Sequence, residues 1–194
     1  MRRFLVPAVC TVALAAAAAP LETAAADGAP FCGIRWGSLT KEDTHHTSAT
    51  ISNVRAGRHR CFDRLVIDLG PKVAGLPGPD ASGFTVRYVD QVVDDPSGEP
   101  VTLDGGAFLE VVVRAGAVSD VYVPPYTPTY APDDRARAVD VPGFRTFRKV
   151  AFLGGFEELT QLGLGVRARL PFRVFLLYGP GDGSRIVIDV AHRW

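Results

Sequence analysis

Two aspartates, Asp68 and Asp189, hold matching positions in two short runs that echo each other, Arg64-Leu65-Val66-Ile67-Asp68-Leu69 and Arg185-Ile186-Val187-Ile188-Asp189-Val190. Two carboxyls facing one substrate could serve as the acid and base of glycoside hydrolysis. The same residues could instead anchor architecture, each accepting hydrogen bonds from an Arg or from backbone N–H groups, as buried carboxylates normally do. An Asp inside a repeated strand motif favours the architectural reading, so no catalytic residue is assigned. Glu110, Glu157 and Glu158 have no special spacing. Ser38, Ser48, Ser52, Ser97 and Ser184 stand in turn-rich contexts without a nucleophile elbow.

Metal and phosphate chemistry find no support. His45, His46, His59 and His192 lack the spacing that metal sites favour, so no metal is expected. Gly105-Gly106 and Gly181-Asp182-Gly183 read as turn glycines between strands, whereas phosphate-cradling loops open helices. No cofactor follows.

Two sets of side chains could recognise a partner. Arg167 and Arg169 are two apart on what reads as a strand, and Arg173 follows just beyond the Pro171 bend; together they could present guanidiniums to carboxylates. The competing reading is a solvated charged face paired with Glu157 or Glu158. Tyr122, Tyr126 and Tyr130 lie among Pro124, Pro125, Pro128 and Pro132, in a segment where four prolines exclude both helix and central strand. Their rings could stack on sugars, or form a lid packed over the fold with wetted hydroxyls.

The elements that must position these residues read as strands. Both echoed runs are β-branched or aliphatic and closed by turn residues, as expected for strands buried on both faces. Phe84, Val86 and Tyr88 alternate with Thr85, Arg87 and Val89 as a half-buried strand. Ala107 to Arg114 reads as central to a sheet, because Val111-Val112-Val113 is too apolar for an exposed face. Further strands are expected over 145–152 and 172–178, with Gly154-Gly155 as a turn and the segment 157–169 broken by Gly163 and Gly165. The loop at Gly75-Leu76-Pro77-Gly78-Pro79-Asp80 cannot continue a ladder. About nine or ten strands, with turns every dozen residues and no long amphipathic helix, predict an all-β antiparallel β-sandwich or Greek-key barrel.

The amino terminus reads differently. Arg2 and Arg3, an apolar run from Phe4 to Ala19, and Ala24-Ala25-Ala26 predict a secretory signal over residues 1–26, too short and Pro-flanked for a comfortable membrane span. The chain has 194 residues, with 21 basic and 21 acidic side chains. Losing Arg2, Arg3 and Glu22 with the leader leaves a net charge of about −1, which argues against nucleic acid or an anionic membrane as the main partner. Of three cysteines, Cys10 leaves with the leader; Cys32 and Cys61 are then expected to form a disulfide. Closing that loop is worth about 3.6 kcal/mol in the chain-entropy model. The expected organisation is a leader over 1–26, an amino-terminal arm with the disulfide over 27–56, and a β-sandwich over 57–194.

Several blocks in order carry a family resemblance. They are Cys32-Gly33-Ile34-Arg35-Trp36-Gly37-Ser38-Leu39, Gly57-Arg58-His59-Arg60-Cys61-Phe62-Asp63-Arg64, Val86-Arg87-Tyr88-Val89 and Gly105-Gly106-Ala107-Phe108-Leu109-Glu110-Val111. Gly163-Leu164-Gly165-Val166-Arg167, Pro171-Phe172-Arg173-Val174-Phe175 and Asp189-Val190-Ala191-His192 complete the set. This sequence resembles the AMIN-like domain of exported, actinobacterial-type proteins, a relative of the AMIN domain. AMIN domains are β-sandwich targeting modules on peptidoglycan amidases and secretins, so the resemblance implies a secreted, extracytoplasmic, non-catalytic module. Its expected partner is peptidoglycan or another wall glycan. The alternative is a module that binds an envelope enzyme or secretion complex by sheet-edge pairing. Fold alone does not decide between them.

Overall fold

The computed structural model describes residues 29–72, 81–95, 97–119, 127–156 and 158–194. The expected leader over 1–26, the loop over 75–80, and Tyr122 and Tyr126 lie outside these residues.

Nine strands build two antiparallel sheets. In chain order they are β1 (Lys41–Asp43), β2 (Ile51–Arg58), β3 (Phe62–Leu69), β4 (Phe84–Val89), β7 (Ala107–Val113), β10 (Phe147–Phe156), β11 (Leu159–Val166), β12 (Phe172–Tyr178) and β13 (Ser184–Ala191). Two small ribbons pair β5 (Val92–Val93) with β6 (Pro100–Val101), and β8 (Val118–Ser119) with β9 (Thr127–Pro128). Among the described residues the helical content is two single 3-10 turns, Phe31–Gly33 and Arg135–Arg137. The all-β expectation holds. β1 and all but the last two residues of β2 fall within the stretch read as arm, over 27–56.

The echoed runs become β3 and β13, hydrogen-bonded to each other at the centre of the sheet β12-β13-β3-β2. Their alternation sends Leu65, Ile67 and Leu69 of β3, and Ile186, Ile188 and Val190 of β13, into one core. The facing sheet runs β1-β4-β7-β11-β10, which makes β7, the Val111-Val112-Val113 strand, its middle member. Leu109, Val111, Leu162 and Leu164 project from that sheet into the same core and are fully buried. Each such side chain contributes about 1.5–3 kcal/mol by leaving water. Two sheets sharing one apolar interlayer form a sandwich.

Two expectations at glycines are overturned. Gly154 and Gly155 do not turn the chain: β10 runs through them to Phe156, and Gly155 pairs with Thr160. Gly163 and Gly165 do not break their segment either, because β11 is continuous from Leu159 to Val166. Their outward faces lie against a crossing strap at Leu103 and Asp104. A Cβ on Gly165 would meet the Asp104 carbonyl oxygen at 2.0 Å, and one on Gly163 would touch the Leu103 side chain at 3.0 Å. Here glycine marks a close approach of two chain segments rather than a bend.

Candidate functional site

The three arginines come together at one end of the sandwich, but not on one strand. β11 stops at Val166, because its partner β7 begins opposite at Ala107. Beyond that point Arg167 donates its N–H to Thr146 O at 2.8 Å, and its guanidinium donates to His192 O. The expectation that Arg167 and Arg169 share a strand face is therefore corrected: both lie in the turn leading to β12.

Arg169 sits in the open. Its guanidinium lies 5.0 Å over the Tyr88 ring and makes long contacts to Ser38 Oγ and O at 3.4 and 3.3 Å. Its carbonyl accepts the indole N–H of Trp194 at 3.1 Å. Tyr88 is locked beneath: its hydroxyl donates to Leu170 O and accepts from Leu170 N–H, both at 2.9 Å. Burial pushes its phenol up from the ordinary tyrosine value, against the opposing effects of the Leu170 hydrogen bond and the nearby Arg169 charge.

Arg173 lies on the outer face of β12, opposite Asp189. Its Nε donates to Asp189 Oδ2 at 2.9 Å, while Arg64 on β3 donates to Oδ1 and Oδ2 at 2.6 and 2.9 Å. Asp189 has no exposed side-chain surface, yet Arg173 keeps 41 % of its own. Two guanidiniums on one carboxylate leave one net positive charge. The rings around them hold that charge in place: Arg173 lies 4.5 Å from the Trp36 centroid and 4.8 Å from that of Phe175, and Arg64 lies 5.2 Å from that of Phe62. Such cation–π contacts contribute about 0.5–1 kcal/mol each at exposed sites.

The arm that carries Trp36 is tied down at this end. Cys32 and Cys61 are bonded, Trp36 meets Phe62 edge-on at 5.6 Å, and Phe172 N–H donates to Gly37 O at 2.8 Å. Behind it, buried His192 bridges Thr146 Oγ1 and His59 O, both at 3.0 Å. Asp63 accepts the Thr146 and Phe147 N–H groups at 2.6 and 3.1 Å. Both tryptophans of the chain thus stand at the arginine end, Trp194 being 65 % exposed. Trp36, Trp194, Tyr88 and Arg64 are absent from the sequence-derived set. A signal for Arg64 did exist, since antiparallel alignment of the five-residue Arg-to-Asp stretches shared by the two runs, 64–68 and 185–189, places it opposite Asp189.

Tyr130 lies elsewhere. It packs edge-on against Phe152 at 5.1 Å, its hydroxyl donates to Ala138 O at 3.4 Å, and burial raises its phenol as well. With Phe152, Phe156 and Arg135 it lines an open groove of about 500 Å³. Measured along β10, Phe152 is six residues, about 20 Å, from Thr146 at the arginine end. The structure does not bring Tyr130 to the arginines.

The carboxylate pair is not formed either. Asp189 lies opposite Arg64 and Asp68 opposite Arg185, so the two aspartates stand four ladder positions, about 13 Å, apart. Glycosidase carboxyls are separated by about 5–9.5 Å. Asp68 is held instead by Arg55, at 2.8 and 3.0 Å.

A family model for the AMIN-like domain matches residues 49–192. The chain belongs to the AMIN-like domain family. No curated protein and no solved structure matches it. Within this AMIN-like domain the matched span supplies Arg64, Tyr88, Arg167, Arg169, Arg173 and Asp189. Trp36 with the arm up to residue 48, and Trp194, lie outside that span and complete the surface. The disulfide is consistent with an oxidising, extracytoplasmic setting. Among the described residues no helix is long and apolar enough to cross a membrane.

Proposed function

We propose that the protein is a secreted, non-catalytic module of the cell envelope that binds peptidoglycan or another wall glycan through its arginine and aromatic end. One observation carries this reading: Arg169 and Arg173 stand with exposed guanidinium surface beside Tyr88, Trp36 and Trp194. Guanidiniums suit carboxylates of wall peptides or acidic sugars, and indole rings offer flat apolar surface to sugar faces. The rings are held by a disulfide-anchored arm and by hydrogen bonds, so little side-chain freedom is lost when a ligand is bound. Family membership favours an envelope setting. Tyr122 and Tyr126 remain in the proposal as further stacking residues; Tyr130 would act separately, in its own groove.

The test is co-sedimentation of the protein with purified wall sacculi. Retention above that of an unrelated neutral protein, lost on combining Arg169→Ala with Trp194→Ala, is the expected result. Retention no better than the control refutes the glycan reading.

A further inference from the structure

A sheet edge exposes unpaired N–H and C=O groups, and folded proteins shorten, charge, bend or cover such edges. Three of the four edges of this sandwich are treated so. β1 is only three residues long. β10 is covered where Val139 pairs with Val150 and Ala138 N–H donates to Val150 O. β2 carries Ser52, Asn53, Arg55 and Arg58 and breaks register between Ile51 and Asn53. β12 is different. Its sequence is Phe-Arg-Val-Phe-Leu-Leu-Tyr, with a single charge and an unbroken seven-residue ladder to β13.

The direction of its main chain follows from its two ends. Pro171 O accepts from Ala191 N–H and Gly179 N–H donates to Gly183 O, so the odd-numbered residues face β13. The even-numbered residues face outward. Phe172 N–H is taken by Gly37 O, and among the described residues Val174 and Leu176 have no partner on that side. The arm fills the first slot of the edge and leaves the next two open. The edge is also polarised. At the Phe172 end Lys41 Nζ lies 5.1 Å over the Phe172 ring on the inner face, and Arg173 projects from the outer face one residue on. At the other end Leu177 and Tyr178 are exposed and apolar.

We propose that β12 is a docking edge for an extended segment of a partner protein, with acidic side chains at the Phe172 end and apolar residues beside Val174 and Leu176. An extended polypeptide matches the alternating N–H and C=O groups of the edge, and carboxylates match Lys41 and Arg173. A second copy of β12 fits less well. Paired antiparallel, it sets the cationic end against exposed Leu177 and Tyr178; paired parallel, it sets like charges together. The proposal goes beyond glycan binding and does not depend on it.

The probe is an acetylated, amidated peptide of two glutamates followed by alternating valine and threonine, used with its sequence-reversed counterpart to cover both strand directions. One of them is expected to slow amide exchange at Val174 and Leu176 in isotope-labelled protein by about tenfold or more. Leu176→Pro removes an outward donor without touching the ladder to β13, and should weaken binding about tenfold. Leu176→Thr, which keeps the N–H, should weaken it less, and sacculus retention should be unchanged in both variants. Two results would overturn the proposal. One is that neither peptide slows those amides at about 1 mM, a concentration that detects even weak pairing. The other is that they slow without peptide as protein concentration rises, which would assign the edge to a second copy.

Discussion

Arg64 on β3 and Asp189 on β13 sit directly opposite each other and share a two-pronged ion pair of 2.6 and 2.9 Å on the outer face of the sheet. An outer face is normally wet, yet this carboxylate is wholly covered, because Arg173 closes over it from the next strand. The pair fixes the register of the two central strands and at the same time orients the cation that faces solvent beside Trp36. One carboxylate therefore links the fold to the proposed binding surface.

Removing it should destabilise the protein strongly. Asp189→Ala leaves two guanidiniums side by side with no counter-charge, and breaking a buried pair costs about 3–5 kcal/mol. Both arginines keep some exposed surface, so about 3 kcal/mol is expected. Asp68→Ala breaks the more exposed pair with Arg55 and should cost less than about 1 kcal/mol. Urea unfolding of both variants measures the difference; equal losses would contradict the distinction between the two echoed aspartates.

Half of this arrangement is legible in the sequence. Antiparallel alignment of the Arg-to-Asp stretches of the echoed runs, 64–68 and 185–189, places Arg64 opposite Asp189 and Arg185 opposite Asp68, but only the first couple forms. Asp68 turns to Arg55 on β2, and Arg185 reaches Tyr178 O at 3.5 Å. Which partner wins depends on the strand lying alongside, and a linear pattern does not contain that. The same holds for Trp36, which reaches Arg173 through the fold-back of the arm over Cys61, and for Trp194, which reaches Arg169 from beyond the end of β13. Apolar alternation, by contrast, is a local property, and it suffices to place β3, β4, β7, β12 and β13.

The glycines of β11 give a sharper test of why a local reading failed. Gly165→Ala puts a methyl group within 2.0 Å of the Asp104 carbonyl, where only backbone movement relieves the clash. Overpacking of this kind costs about 1–3 kcal/mol, and rigid neighbours favour the upper end. Gly163→Ala meets the flexible Leu103 side chain and should cost less, while Gly57→Ala on β2 finds its nearest atom at 3.8 Å and should be close to neutral. Thermal melts of the three variants should rank in that order.

Reduction of the disulfide should loosen the arm before the sandwich. Cys32→Ser with Cys61→Ser is expected to lower stability by about 3.6 kcal/mol, since the two cysteines are 29 residues apart. Trp36 should then lose its contact with Phe62 and Arg173, and its fluorescence should shift to the red. An unchanged spectrum would show that the packing of Trp36 does not need the covalent link.

Tyr88 should titrate late. Burial raises its phenol above the ordinary value of 10.0, so the folded state holds the proton more tightly than the unfolded chain does. That contribution is fully present below pH 10 and is lost as pH rises through the folded value. Absorbance at the tyrosinate band should show late ionisation above that of exposed tyrosine, and Tyr88→Phe should remove one late group. The variant also leaves Leu170 N–H unpaired, at about 1–2 kcal/mol.

Wall binding should separate Arg169 from Arg173. Arg173 holds Asp189 through short hydrogen bonds, so Arg173→Ala should lower both stability and sacculus retention. Among the described residues the Arg169 side chain makes only long contacts to Ser38 and a stacking contact to Tyr88, so Arg169→Ala should lower retention while the melting temperature stays within a few degrees. If carboxylates are the ligand, retention should also fall with salt, because at about 1 M ionic strength screening acts within about 3 Å. Retention that resists salt and survives Arg169→Ala would shift the binding away from the guanidiniums and onto the tryptophan faces. Trp194→Ala would then be the decisive variant.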